Sequence, residues 1–200
     1  MSKQLAKQIS GQSSPEDGRD RRQFYRISDR ALIDIKIVKD LSVDAESQFD
    51  LSPTFSILRE FHQLDIESRH LLRQISDKDK SLGLYLKTLN SKLDALARGV
   101  ALNNETIDVA GLIDINISEG GFSAKFQTPI PANSPIATKL ILLPSFTGLI
   151  LKGEVISCEQ EGDEYNIHIK FYNLDNFNQH LIARHIIRKQ GRERKSTYLN

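Results

Sequence analysis

The stretch "IDVAGLIDINISEGGFSAKF", residues 107–126, carries the fold in its alternation. Ile107, Val109, Ile113, Ile115 and Ile117 share one face, with Gly111 between them; Asp108, Asp114, Asn116 and Ser118 share the other. A period of two with one apolar and one polar side is that of a half-buried strand. Gly120-Gly121 supplies a turn, and "FSAKF" then alternates again. Further strands are expected over 137–143, 148–158 and 164–172, the last with Ile167, Ile169 and Phe171 inward and Asn166, His168 and Lys170 outward. Upstream, "RDRRQFYRISDRALIDIKI", residues 19–37, ends in the same pattern, with Ile33, Ile35 and Ile37 opposite Asp34 and Lys36. About six such strands predict a small antiparallel barrel, because closure removes exposed edges.

Between these blocks the period changes. From Ser52-Pro53 to about Ala101 the chain reads as helix, Ser52 capping the first turn and Pro53 standing at the first helical position. Phe55, Leu58, Phe61, Leu64, Leu71, Leu72 and Ile75 recur at helical spacing, and "ISDKDKSL" marks a break. Beyond it Leu82, Leu86, Leu89, Leu93, Leu96 and Val100 follow a 4-3-4-3-4 spacing, a heptad seam about 28 Å long at about 1.5 Å per residue. Such a stripe must be buried somewhere: in a second copy of the chain, or on residues 55–75 as an intramolecular hairpin. An amphipathic helix over about 174–190 closes the chain, followed by a basic tail, 191–200. Residues 1–18, polar and rich in Gly, Ser and Pro at "SGQSSPEDG", read as a flexible arm. The domain is therefore expected over 19–190, interrupted by a helical insertion at 53–101.

Composition excludes several classes of function. A hydrophobic content of 39% and a charged content of 26% are those of a globular soluble chain. The net charge of +1 provides no global field for nucleic acid or membrane, so any anion site is local. The single cysteine, Cys158, rules out a disulfide framework and a thiolate zinc site. No apolar run approaches the roughly 20 residues of a membrane span, and the N-terminus lacks a secretory core, so a cytoplasmic location is expected. The five histidines (62, 70, 168, 180, 185) have no metal-ligand spacing, and His180 and His185 are assigned to complementing a helix end. Ser118 lies outside any G-x-S-x-G context, and no nucleophile–base set is present, so no enzyme is expected and no cofactor or metal.

Two motifs remain. Arg22 and Arg26 stand four apart and point the same way in an extended segment; each guanidinium can fork onto phosphate oxygens or a guanine edge. Arg21 adds a third cation. In "DINISEGG", Asn116 and Ser118 share the polar face of a strand, and Gly120 and Gly121 leave room for a ligand. Taken singly, the first also fits a solvated strand entrance, and the second a turn in which Ser118 bonds its own backbone.

Together, in this order, the pair resembles the RxxxR and (D/N)xSxxG signature of the PilZ domain, a six-stranded barrel that binds cyclic di-GMP. The resemblance covers 19–38 and about 105–190, including "LKGEVISCEQ", "IHIKFYNLD" and the closing helix. It implies that Arg22 and Arg26, aided by Arg21, grip phosphate and guanine, while Asn116 and Ser118 read a guanine edge beside Gly120 and Gly121. Asp114 and Lys170 are further candidates on the same face. Asn116 in place of an acidic residue avoids one more carboxylate beside phosphates. The departure is the insertion, which resembles a subgroup whose heptad-bearing helices assemble the domain. That likeness implies a homo-oligomer, dimer or tetramer, joined through Leu82 to Val100. The function expected is a cyclic di-GMP receptor that relays to a downstream protein by ordering residues of about 1–26. Its rival is an oligomeric scaffold that binds no nucleotide. A nucleic-acid-binding barrel is disfavoured, since Asp108 and Asp114 would repel a polyanion.

Overall fold

Isoleucines and valines at alternate positions form extended ladders because their branched side chains pack well on a pleated surface. In the computed structural model, which describes residues 25–102 and 111–197, these ladders are β1 (Ile27–Ile37), β2 (Ile113–Ser118), β3 (Gly121–Phe126), β4 (Pro135–Leu142), β5 (Thr147–Glu161) and β6 (Glu164–Phe171). Every pairing is antiparallel, and the order β1-β2-β3-β6-β5-β4 closes on itself as a barrel. The arm 1–18, Arg21, Arg22 and Asp108 lie outside the described residues. The barrel interior is filled by Ile27, Ala31, Ile115, Ile117, Phe122, Leu140, Leu149, Val155 and Ile167, all buried.

Helix α1 (Pro53–Lys78) begins where expected: Phe55 N–H donates to Ser52 Oγ at 3.2 Å, with Pro53 in the first turn. Asp79 separates it from α2 (Lys80–Leu102), its backbone N–H closing α1 on Ile75 O at 2.8 Å and its carboxylate accepting from Leu82 N–H at 3.0 Å. One residue thus stops one helix and caps the next. The two helices pack on each other, and Gly83 allows it, since a Cβ there would meet Ser76 Cα at 2.7 Å.

The hairpin docks on the outside of the barrel. Phe55 and Leu58 pack with Ala137, Ile141, Phe146 and Ile150, joined by Ala97 of α2. Phe55 lies so close to Gly148 that a Cβ there would come within 2.7 Å of its ring. Strand β4 is accordingly apolar on both faces, Ile136 and Leu140 inward and Ala137 and Ile141 under α1. The heptad stripe is not the docking face: Leu82, Leu89, Leu93, Leu96 and Val100 stay exposed, with Leu86 partly covered. The hairpin therefore forms, with Gly83 and Ala97 turned inward rather than the whole seam.

Two expectations need correction. Ile37 does not share a buried face with Ile33 and Ile35; it is 59% exposed, and Val38 turns in beneath α1 instead. The closing helix, α3, runs Asn176–Thr197 rather than ending near 190, because "RKQGRERK" contains good helix formers and a single tolerated glycine. Asp175 starts it, accepting from Asn178 N–H at 2.7 Å. Leu181, Ile182 and Ile186 then seal the barrel.

Candidate functional site

The register of four strands sets out a polar face on the outside of the barrel. Ser28 on β1 lies opposite Asn116 on β2, Asn116 opposite Ser123 on β3, and Ser123 opposite His168 on β6. In the adjoining row Ser118 faces Gly121, and Gly121 faces Lys170. Arg26 immediately precedes Ile27, whose partner is Ile117, so the chain delivers this arginine beside the Ser118 corner. Of the residues singled out from sequence, Arg26, Asn116, Ser118, Gly120, Gly121 and Lys170 are thus brought together. Asp114 lies two residues away along β2.

The corner itself is tightly built. Ser118 is 3% exposed; its hydroxyl donates to Gly121 O at 3.2 Å and accepts from Gly120 N–H at 3.3 Å. Phe171 N–H donates to Gly120 O at 3.0 Å. Gly121 packs so closely on β6 that a Cβ would run into the Ile169 carbonyl oxygen. The outward projection expected of Ser118 is therefore replaced by a turn-closing role, because the strand ends there and the hydroxyl satisfies a tight backbone corner. Asn116 remains on the open face. A cleft of about 850 Å³ runs along it, lined in part by Ser28, Arg30, Asp114, Asn116, Ser123 and Lys125. Arg30 and Asp114 stand 3.8 Å apart with both side chains largely in water, a pair worth little in stability that leaves a cation next to the carboxylate.

The feature sequence reasoning missed is Asp29. It occupies an inward position of β1 between buried Ile27 and Ala31, at the end of the cleft. His185 Nε2 lies 2.5 Å from one carboxylate oxygen, and Lys189 Nζ donates to the other at 3.0 Å. The signal in the sequence was a carboxylate in an apolar phase of the alternation, with His185 and Lys189 spaced four apart on a helix. His185 is accordingly not a dipole partner at a helix end; it is buried in the middle of α3 and bonded to β1. His180 instead lies 2.7 Å from Asn176 O through Nδ1.

Burial by itself would raise the Asp29 carboxyl, but hydrogen bonds from His185 and Lys189 outweigh it and hold the pKa below the ordinary aspartate value. A depressed carboxylate stabilises the fold above the ordinary aspartate range and loses that contribution as pH falls through its native value. Asp29→Asn is expected to lower stability by about 2 kcal/mol at pH 7. In urea unfolding the gap from the unmodified protein should begin to narrow below about pH 4 and close as pH falls through the depressed native value, where both carry an uncharged group. A gap that is constant with pH would contradict this role for the Asp29 contacts with His185 and Lys189.

Among the described residues no helix is long and apolar enough to cross a membrane, and no cluster of His, Cys, Asp or Glu has the arrangement of a metal site. No curated protein matches the chain. The sequence model of the PilZ domain matches residues 95–188. A solved structure of a tetrameric PilZ domain from Xanthomonas campestris, self-assembled through a helical bundle, is similar with a TM-score of 0.51 and 16% identity, over 86% of this chain and 89% of that one. Escherichia coli YcgR, in complex with c-di-GMP, is similar over 43% of this chain and 39% of its own, with a TM-score of 0.38 and 12% identity. The family match begins in α2 and ends in α3, and β1 closes the same barrel from the other side of the insertion: the chain is similar to a PilZ domain, with a helical hairpin inserted between the first two strands of the barrel.

Proposed function

We propose that the protein is a non-enzymatic receptor for cyclic di-GMP, held on the barrel face between the Arg26 approach and the Ser118–Gly121 corner. The observation that carries this reading is the position of Asn116. It stands in the centre of a polar row, Ser28–Asn116–Ser123–His168, beside a glycine corner that matches the family motif. In this reading Arg22 and Arg26, with Arg21, hold phosphate and stack on guanine, and Asn116 reads a guanine edge. Ser118 and Gly121 fix the shape of the corner. Gly120 offers close backbone approach, and Lys170 adds a cation to the adjoining row. Occupancy orders the N-terminal arginine segment, and a downstream protein reads that ordered surface in the cytoplasm. The exposed leucine seam assembles the receptor with further copies of itself, the tetramer being favoured by likeness to the Xanthomonas protein.

Titration calorimetry with cyclic di-GMP tests the receptor. Arg22→Ala and Asn116→Ala each remove a hydrogen-bonding partner worth roughly 1.5–3 kcal/mol when charge-assisted, so binding is expected to weaken about tenfold to a hundredfold. Heat from the unmodified protein that is unchanged in both variants would place the ligand elsewhere. No binding by the unmodified protein would favour the second reading, a scaffold whose working part is the seam. One observation supports that alternative: the Ser118 hydroxyl is already committed to its own turn.

A further inference from the structure

Where α1, α2 and α3 meet, away from the barrel face, a second cleft of about 310 Å³ opens. Four cations line it, Arg69 from α1, Lys87 from α2, and Arg184 and Arg188 from α3, against two carboxylates, Asp65 and Asp94. Arg184 is paired with Asp65, and both side chains are largely buried. Among the described residues no ion pair engages Arg69, Lys87 or Arg188, leaving three cations facing the single carboxylate of Asp94. The charge balance is thus positive at a concave site, and concavity strengthens a local field.

We infer that this three-helix junction binds a small soluble phosphate-bearing anion. The donors come from separate helices, and two of the three free ones are guanidiniums, whose planar forks match phosphate oxygens. Asn90 lies in the same wall and has two further N–H donors. The volume is at the lower end of ligand pockets, sufficient for one or two phosphate groups and too small for a dinucleotide to be enclosed. Partial desolvation and the adjacent Arg184 both act against the charge of Arg188, with Asp94 and Asp65 offsetting part of this. A bound anion would join α3, which seals the barrel, to the hairpin that carries the exposed seam. The site is independent of the nucleotide reading, since it shares none of the residues on the barrel face.

Thermal unfolding of the full chain in pyrophosphate, against sodium chloride of equal ionic strength, tests it. At tenfold excess over half-saturation the midpoint should rise by about 3–6 °C. The rise should vanish in Arg69→Gln/Arg188→Gln, shrink in the exposed Lys87→Gln, and persist in Arg26→Ala. Equal midpoints in pyrophosphate and chloride would overturn the proposal. So would a rise that survives the double variant, or one lost in Arg26→Ala alone, which would locate the anion on the barrel. Pelleting with vesicles of phosphatidylglycerol, without a response to pyrophosphate, would assign the cations to a lipid surface and equally overturn it.

Discussion

Lysine at two positions of the leucine seam, Leu89→Lys with Leu96→Lys, is expected to convert an assembled protein to monomers while the barrel stays folded. Leu89 and Leu96 are exposed in the single chain, 40% and 66%, so neither substitution disturbs the packing of α1 on α2 or of the hairpin on the barrel. In an assembly the same side chains would be covered, each contributing roughly 1.5–3 kcal/mol on full burial. Buried lysines forfeit this and bring like charges together along the seam. Multi-angle light scattering of the unmodified protein at tens of micromolar should report a multiple of the 22.7 kDa chain, and the double variant the chain mass. A monomeric unmodified protein would mean that the seam meets a different partner. Undiminished mass in the variant would shift the interface elsewhere, and the apolar row Ile57, Leu64 and Leu71 on α1, also exposed, is the first place to look.

Gly121→Ala should cost the fold about 3 kcal/mol or more, a large effect for one methyl group. The added Cβ overlaps the Ile169 carbonyl oxygen and lies 3.1 Å from both Ile169 C and Lys170 Cα. All three are backbone atoms of β6, so relief requires β3 and β6 to separate and their ladder to weaken. Gly191→Ala provides the contrast: nothing lies within 4 Å, and the position is helical, so stability should rise by about 0.5–1 kcal/mol. Urea denaturation of both variants decides the matter. Should Gly121→Ala remain within 1 kcal/mol of the unmodified protein, β6 yields more readily than the geometry indicates, and the glycine serves ligand clearance alone.

That glycine shows how much of the site could be read in advance. "DINISEGG" marks a corner where backbone must come close to something, and glycine is the residue that permits it. Which neighbour comes close is a matter of topology: β6, some 48 residues further on, fills the space that sequence reasoning assigned to a ligand. Ser118 follows the same logic, since a hydroxyl at a strand end can serve a ligand or its own turn. The placement of Asn116 on the open face was legible because it depends only on strand parity, and parity is local. Asp29 was not. An inward carboxylate is acceptable only if partners reach it, and His185 and Lys189 arrive from a helix more than 150 residues away.

The sequence by itself determined the quantities that repeat over a few residues. Alternation around Ile113–Ile117 and Ile167–Phe171 specifies strands, Ser52-Pro53 starts a helix, and leucines spaced four and three apart specify a seam. Tertiary structure alone decided what each of these faces meets. It put Phe55 on Gly148 and so covered the outer face of β4; it turned Gly83 and Ala97 of α2 toward the molecule and left Leu82, Leu89, Leu93, Leu96 and Val100 outside. Three helices converging from distant parts of the chain gathered Arg69, Lys87 and Arg188 around one cleft. The physical reason is one of range. Dihedral preference and hydrophobic period act between neighbours along the chain, whereas burial and charge balance depend on which distant surfaces the closed barrel leaves free to pack.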